Sequence, residues 1–288
     1  MSSINEELNE RQSPGRLPRK SNAKKLRRAR VQETTATAST QPGTPWYATS
    51  WAVAPLLLLL AFLAYSAAIR GPLLFDDLTL PIASPFYSDA PFSAWLKGVR
   101  PVLMLTYWFN YTPGSSSTFA YHATNIAFHA LNALLVFVIC RRLLTQFAVE
   151  SQRAFVASAF CCLVFLLHPL QTESVAYVAG RSEVVSATFV LSAWLIYVRR
   201  IGSPVSWREA GVILLLSGLA VATKEQAAAT LPAIFLLTDW TFRRGSMLEE
   251  LRSNKRLYVP LSVGALLGGA WIGNTLLTSP TAGLNDGI

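Results

Sequence analysis

The chain has 288 residues, of which 52% are hydrophobic and only 14% charged, and its mean hydropathy is positive at +0.35. Soluble domains carry about a quarter of their residues as charges, so this balance excludes an ordinary water-soluble domain and points to a polytopic membrane protein. The net charge of +9 suggests a nucleic-acid partner only until its distribution is read.

Residues 1–49 are polar, rich in Ser, Thr and Pro, and hold nine basic side chains, among them Lys24, Lys25, Arg27, Arg28 and Arg30. Without apolar periodicity they read as a disordered basic arm on the cytoplasmic side, lying near anionic lipid headgroups. No aromatic residue interleaves these charges, so no nucleic-acid role is expected.

Seven apolar runs follow: Trp51 to Ile69, Phe119 to Cys140, Ala154 to Leu167, Val184 to Val198, Ala210 to Thr223, Ala227 to Leu237 and Leu257 to Leu277. Each is read as one span, although several fall short of the roughly 20 residues that cross a bilayer upright. The first starts too late and runs too long to be a cleaved signal, and is expected to stay as an anchor. With the N-terminus cytoplasmic, the clusters Arg141/Arg142/Arg153, Arg199/Arg200/Arg208 and Arg243/Arg244/Arg252/Lys255/Arg256 join the arm on one side. About 20 of the 25 basic residues then face the cytoplasm, as the positive-inside rule requires. The expected fold over 50–288 is therefore an all-α bundle of about seven transmembrane helices, with outer loops at 70–118, 168–183 and 223–226.

The first outer loop opens with Phe75-Asp76-Asp77-Leu78, two adjacent carboxylates just past the first span and the best candidate for chemistry. Neighbours in sequence point in different directions on a helix or a strand, so spacing does not say which is the reactive one. If one serves in chemistry, the other is expected as a helix cap or hydrogen-bond partner. The loop is too long for a tether and carries Trp95, Tyr107, Trp108 and Tyr111, residues that favour the membrane interface. Short interfacial helices are expected from Pro85-Phe86 to Val99 and from Pro101 to Tyr111, broken at Pro101 and at Pro113-Gly114.

The second span carries His122, Asn125, His129 and Asn132, whose spacing confines them to an arc of roughly 80° at about 100° per residue. His129 and Asn132 are expected to hydrogen-bond to neighbouring helices, while His122, near the outer end, is in reach of a site. The second outer loop gathers His168, Glu173, Arg181 and Glu183. In the third, Lys224-Glu225-Gln226 sits between short apolar stretches. A charge at that depth costs a few kcal/mol unless paired or facing water, so the plain alternative to a site is mutual neutralisation of Lys224 and Glu225. Cys140, Cys161 and Cys162 all fall in or at the ends of spans, which indicates neither a disulfide framework nor a thiolate metal site.

Taken in order, Arg100-Pro101-Val102-Leu103-Met104-Leu105-Thr106, Tyr121-His122-Ala123-Thr124-Asn125-Ile126-Ala127-Phe128-His129-Ala130-Leu131, His168-Pro169-Leu170-Gln171-Thr172-Glu173-Ser174-Val175-Ala176, Gly180-Arg181-Ser182-Glu183 and Lys224-Glu225 resemble the transmembrane and tetratricopeptide-repeat O-mannosyltransferases. The resemblance runs from about Phe75 to Asp239. It implies a GT-C-like fold and an enzyme that moves a sugar, typically mannose, from a polyprenyl-phosphate carrier to a protein acceptor on the outer face. It also maps an acidic base onto Asp76-Asp77. The chemistry agrees, because a Ser or Thr hydroxyl is a weak nucleophile at neutral pH and a positioned carboxylate is worth roughly 10²–10⁴-fold.

By position, Arg100, Arg181 and Lys224 are expected on the donor phosphate, Arg181 most firmly because it belongs to the family motif. Glu173, Glu183 and Glu225 would orient those cations, with His122 and His168 lining the cavity. No metal or cofactor is expected, since a monophosphate donor has no pyrophosphate to neutralise. The family's tetratricopeptide region has no counterpart in these residues. A bacterial inner membrane is the preferred location, with the endoplasmic-reticulum membrane as the alternative. The competing readings are a transporter or channel, which predicts internal repeats and charges near the midplane, and an inactive scaffold with the same fold.

Overall fold

The computed structural model describes residues 50–80, 83, 90–111, 117–242 and 245–278. The expectation of a disordered arm, the break at Pro113-Gly114, Arg243/Arg244 and the tail lie outside the described residues. Among the described residues there is no strand. The chain forms α1 (Ser50–Ala64), two 3-10 turns (Ser66–Ala68 and Phe75–Thr79), α2 (Phe92–Trp95), α3 (Pro101–Asn110) and α4 (Phe119–Gln146). There follow α5 (Ser151–Leu167), α6 (Gln171–Ala176), α7 (Arg181–Val198), α8 (Trp207–Val221), α9 (Ala227–Phe242), α10 (Met247–Ser253) and α11 (Lys255–Thr278).

Each of the seven apolar runs holds a helix, although the first, read from Trp51 to Ile69, ends its helix at Ala64 and passes into a 3-10 turn. Two of them, α4 and α7, are long and apolar enough to cross a membrane, while α1, α5 and α9 are shorter apolar helices. At about 1.5 Å per residue, α4 extends about 42 Å and is the longest rod of the bundle. Among the described residues the chain is all-helical, with two helices that by length and composition can cross a membrane. Its outward faces carry Leu56, Leu59, Leu63, Val156, Phe160, Leu215, Leu237 and Leu266, the surface that hydrocarbon solvates and water does not.

Two apolar cores run along the bundle. One joins α1, α4, α5 and α7 through Leu57, Ala61, Ile126, Ala133, Phe137, Cys162, Leu166 and Val185. The other joins α7, α8, α9 and α11 through Ala193, Ile213, Leu231, Phe235 and Leu257. Small residues at the contacts let helix backbones approach closely, as membrane packing demands. The polar seam of α4 is buried along its length. His129 Nε2 lies 3.0 Å from the Leu166 carbonyl, Asn132 Nδ2 donates to the Val184 carbonyl at 2.8 Å, and Asn132 Oδ1 accepts from Thr188 at 2.7 Å. The deep half of the seam is interhelical glue, as its spacing suggests.

A third, smaller core of Trp95, Leu103, Tyr107, Tyr121 and Val178 lies beneath the first long loop and makes it a folded layer. The helix expected over residues 85–99 shortens to α2, part of that stretch lying outside the described residues. The helix expected from Pro101 forms as α3, with the proline in its first turn, where no amide donor is needed.

The connections segregate to two ends. At one end, Arg142 donates to the Arg199 carbonyl, Arg200 pairs with Glu209, and Phe147 stacks on Phe242. There α8 and α10 begin with reciprocal caps, Ser206 with Glu209 and Ser246 with Glu249. At the same end Asp239 accepts hydrogen bonds from Tyr197 and Tyr258, tying α7, α9 and α11 together. The opposite end holds the loops with the acidic pair.

Candidate active site

Asp76 and Asp77 sit on the 3-10 turn Phe75–Thr79, in opposite environments. The Asp77 carboxylate is only 1% exposed. Its Oδ1 accepts from the Ala179 amide at 2.7 Å and its Oδ2 from the Leu74 amide at 3.3 Å. Both oxygens are thereby committed to backbone, and the first loop is pinned to the second. The side chain of Asp76 is exposed. Its amide donates to the phenol oxygen of Tyr177 at 2.6 Å, and its carbonyl accepts from Thr79 at 2.7 Å. Of the pair, the carboxylate that meets solvent is Asp76.

The segment Tyr177-Val178-Ala179-Gly180-Arg181 is the hub of this end. The Tyr107 hydroxyl donates to the Val178 carbonyl at 3.1 Å, and Asn125 Nδ2 donates to the Tyr177 carbonyl at 3.0 Å. Gly180 permits the close turn, because a Cβ there would lie 2.7 Å from the Glu173 carbonyl oxygen and 2.9 Å from that of Ser174. Only a residue without a side chain fits that approach.

Arg181, expected on the donor phosphate, lies instead at 0% exposure inside the bundle. Its guanidinium donates to Asn125 Oδ1 at 2.9 Å, to the Thr106 carbonyl at 3.0 Å and to the Tyr121 carbonyl at 2.8 Å. The rings of Tyr107 and Tyr121 flank it at 4.6 and 5.4 Å. Among the described residues no carboxylate reaches ion-pair distance of it. Carbonyl dipoles and ring faces compensate this buried charge, and they leave it joining α3, α4 and α7.

The other two expected cations form ion pairs. Arg100 makes a two-pronged bond to Glu225, Nε to Oε2 at 3.0 Å and Nη2 to Oε1 at 2.6 Å, with both side chains partly exposed. Lys224 pairs with Glu183. The Lys224–Glu225 neutralisation considered from sequence is thus replaced by two pairs across different elements. Hydrogen bonding to Arg100 holds the Glu225 carboxyl below its usual range. Burial, together with the nearby Arg100 charge, lowers the Lys224 ammonium. Arg100 and Lys224 thus lie near one another, each held by the carboxylate of a different element.

His122 is buried at the top of α4 and close enough to Asp77 and Arg181 to feel both charges. Neither of its ring nitrogens makes a hydrogen bond of ordinary geometry to the described residues. His168 and Glu173 are exposed. His168 Nδ1 accepts from the Leu170 amide at 3.2 Å, ahead of α6, whose first turn carries Glu173. Neither is brought to the paired cations by a described contact.

Beside the Arg100–Glu225 pair opens an apolar groove of about 520 Å³ between α8, α9 and α11. Gly98, Val99, Pro101 and Glu225 line it, together with small residues such as Gly218, Ala228, Gly264 and Gly268.

No family model and no solved structure matches the chain. Curated proteins do. A protein O-mannosyl-transferase of Caenorhabditis elegans is 29% identical over 249 residues, covering 80% of this chain. The chain is thus similar to curated protein O-mannosyl-transferases over as much as 80% of its length. The human protein O-mannosyl-transferase TMTC3 is 32% identical over 132 residues, 45% of this chain, and Drosophila melanogaster Tmtc1 is 27% identical over 195 residues, 60% of it. The homologous region amounts to 34% of the Caenorhabditis elegans protein, 13% of the human one and 21% of the Drosophila one. The resemblance read from the motifs points to the same proteins.

Tyr177 is a residue of this end that sequence reasoning passed over, while Tyr107 entered it only as an interfacial aromatic and Tyr121 only within a quoted motif. Tyr177 lies in the gap between the two quoted motifs of the second loop, and nothing in its spacing marks it. Asn125 was legible as part of the seam, but its partner Arg181 was not.

Proposed function

We propose that this chain is the membrane part of a GT-C-like glycosyltransferase with seven spans. It transfers mannose from a polyprenyl phosphate to a Ser or Thr hydroxyl of a protein acceptor, on the face away from the cytoplasm. The observation that carries this reading is a single arrangement. Asp76 is exposed at the end of the bundle that also holds Arg100 and Lys224, each paired to a carboxylate, and Glu225, the partner of Arg100, lines an apolar groove. A lipid-linked anion needs both halves of that arrangement, hydrocarbon walls for the tail and cations for the head.

In the reaction, the acceptor hydroxyl attacks the anomeric carbon and passes its proton to the Asp76 carboxylate. The bond from that carbon to the phosphate oxygen breaks, and the polyprenyl phosphate leaves with the electron pair. Attack opposite the leaving group inverts the anomeric centre. Arg100 and Lys224 stabilise the departing phosphate, and in a site partly shielded from water such fixed charges contribute more than they do in bulk solvent. Glu225 and Glu183 hold those cations in register. Arg181, enclosed as it is, serves as a positioning residue that sets α3, α4 and the second loop. Asp77 anchors the turn. The basic end of the bundle lies on the cytoplasmic side with the N-terminus, which leaves the acidic end facing outward.

The test presents membranes containing the full chain with radiolabelled polyprenyl-phosphate mannose or with a nucleotide sugar, each with a Ser/Thr peptide. Transfer from the lipid-linked donor alone is expected. Transfer only from the nucleotide sugar, or from neither, rejects the proposal.

A further inference from the structure

A general base must hold its carboxylate in one place, yet Asp76 is exposed and rides on a turn of five residues. Three features fix that turn. Phe75 adopts φ +47°, a left-handed conformation that a bulky side chain rarely takes, although its ring is 82% exposed and gains little from packing. The Asp77 amide donates to the Leu74 carbonyl at 2.9 Å while its carboxylate is locked to Leu74 and Ala179. The third feature is Tyr177, which reaches across 101 residues of sequence to accept the Asp76 amide at 2.6 Å.

Of these, only the Tyr177 side chain touches Asp76 itself. The tyrosine is rooted in turn, because its carbonyl accepts from Asn125 on α4 and the next residue's carbonyl accepts from Tyr107 on α3. Thr79 holds the Asp76 carbonyl within the turn, and the phenol oxygen adds an acceptor on a rigid ring, so the Asp76 backbone is referenced to the bundle as well as to its own loop. We propose that Tyr177 is a positioning residue of the transfer reaction, holding the backbone of Asp76 so that its carboxylate meets the acceptor hydroxyl. The inference rests on Asp76 as the base. It predicts a defect in turnover and not in donor binding, because the paired cations and the groove are built from other elements.

The experiment measures transfer from polyprenyl-phosphate mannose by the full chain in lipid nanodiscs, for wild type, Tyr177→Phe, Asp76→Asn and the double variant. Tyr177→Phe keeps the ring and loses the oxygen. Its kcat is expected to fall at least about tenfold, the cost of a loosened reacting geometry, with the donor KM within about twofold of wild type. In the Asp76→Asn background the same change is expected to cost nothing more, since the group it positions is gone. A wild-type kcat for Tyr177→Phe beside an impaired Asp76→Asn overturns the assignment of Tyr177. Equal losses from Tyr177→Phe in both backgrounds also overturn it, since the residue then acts independently of Asp76. Full activity of Asp76→Asn sinks the underlying reading of the base instead. Should Tyr177→Phe fail to fold, 3-fluorotyrosine at position 177 keeps the shape and weakens the acceptor oxygen. A smaller kcat loss in the same direction supports the role, and an unchanged kcat overturns it.

Discussion

Asp77 spends both carboxylate oxygens on backbone amides, and Asp76 spends none on any described group, so substitution of the two will separate folding from chemistry. Asp77→Ala strands two amides, one of them in the buried hub, and a stranded buried donor costs about 1–3 kcal/mol. Its thermal midpoint in detergent is expected to fall by several degrees, while that of Asp76→Asn stays at the wild-type value. Equal midpoints for the two variants would contradict the division of labour. Arg100 and Glu225 give a second expectation. Glu225 has its folded pKa depressed below the ordinary 4.5, mainly by its hydrogen bond to Arg100. The pair's contribution is then present above that value and is lost as pH falls through the lower folded one. Both groups are partly exposed, so it amounts to less than about 1 kcal/mol. Glu225→Gln should therefore be slightly less stable than wild type near neutrality, and the gap should close under acid. A gap that widens on acidification would refute the sign.

At the scale of elements, the groove between α8, α9 and α11 is open because glycine and alanine face it. Gly264→Leu fills it from the wall of α11, where a Cβ meets nothing within 4 Å and folding should tolerate the change. The donor KM is expected to rise at least about fivefold for a long polyprenyl chain, and less for a donor with a short one, since each buried methylene is worth about 0.8 kcal/mol. An unchanged KM for both would remove the groove from the site. The helices themselves were legible, since each apolar run holds one, and the arc on α4 foretold the buried seam. The groove was not legible, because it depends on which small residues of three helices face one another. Arg181 shows the same limit: a motif cation near a loop looks like a ligand until three carbonyl and amide acceptors and two tyrosine rings enclose it.

At the scale of the molecule, basic residues collect at one end of the bundle and the acidic pair with its hub at the other. Charge statistics anticipated that polarity, since long-range sidedness depends on residue type and loop order and not on detailed packing. The links between the loops at the acidic end escaped sequence reading, because Asp76 to Tyr177, Asp77 to Ala179 and Arg100 to Glu225 each join segments about a hundred residues apart or more. The matched region is 34% or less of those relatives' own length, and in this chain it is proposed to hold the donor and the base together. That claim is tested most directly by Asp76→Asn in lipid nanodiscs, with donor binding and sugar transfer measured on the same preparation. The account predicts that polyprenyl-phosphate mannose binds as to wild type while transfer falls by roughly 10²–10⁴-fold. Transfer at the wild-type rate by Asp76→Asn would contradict it.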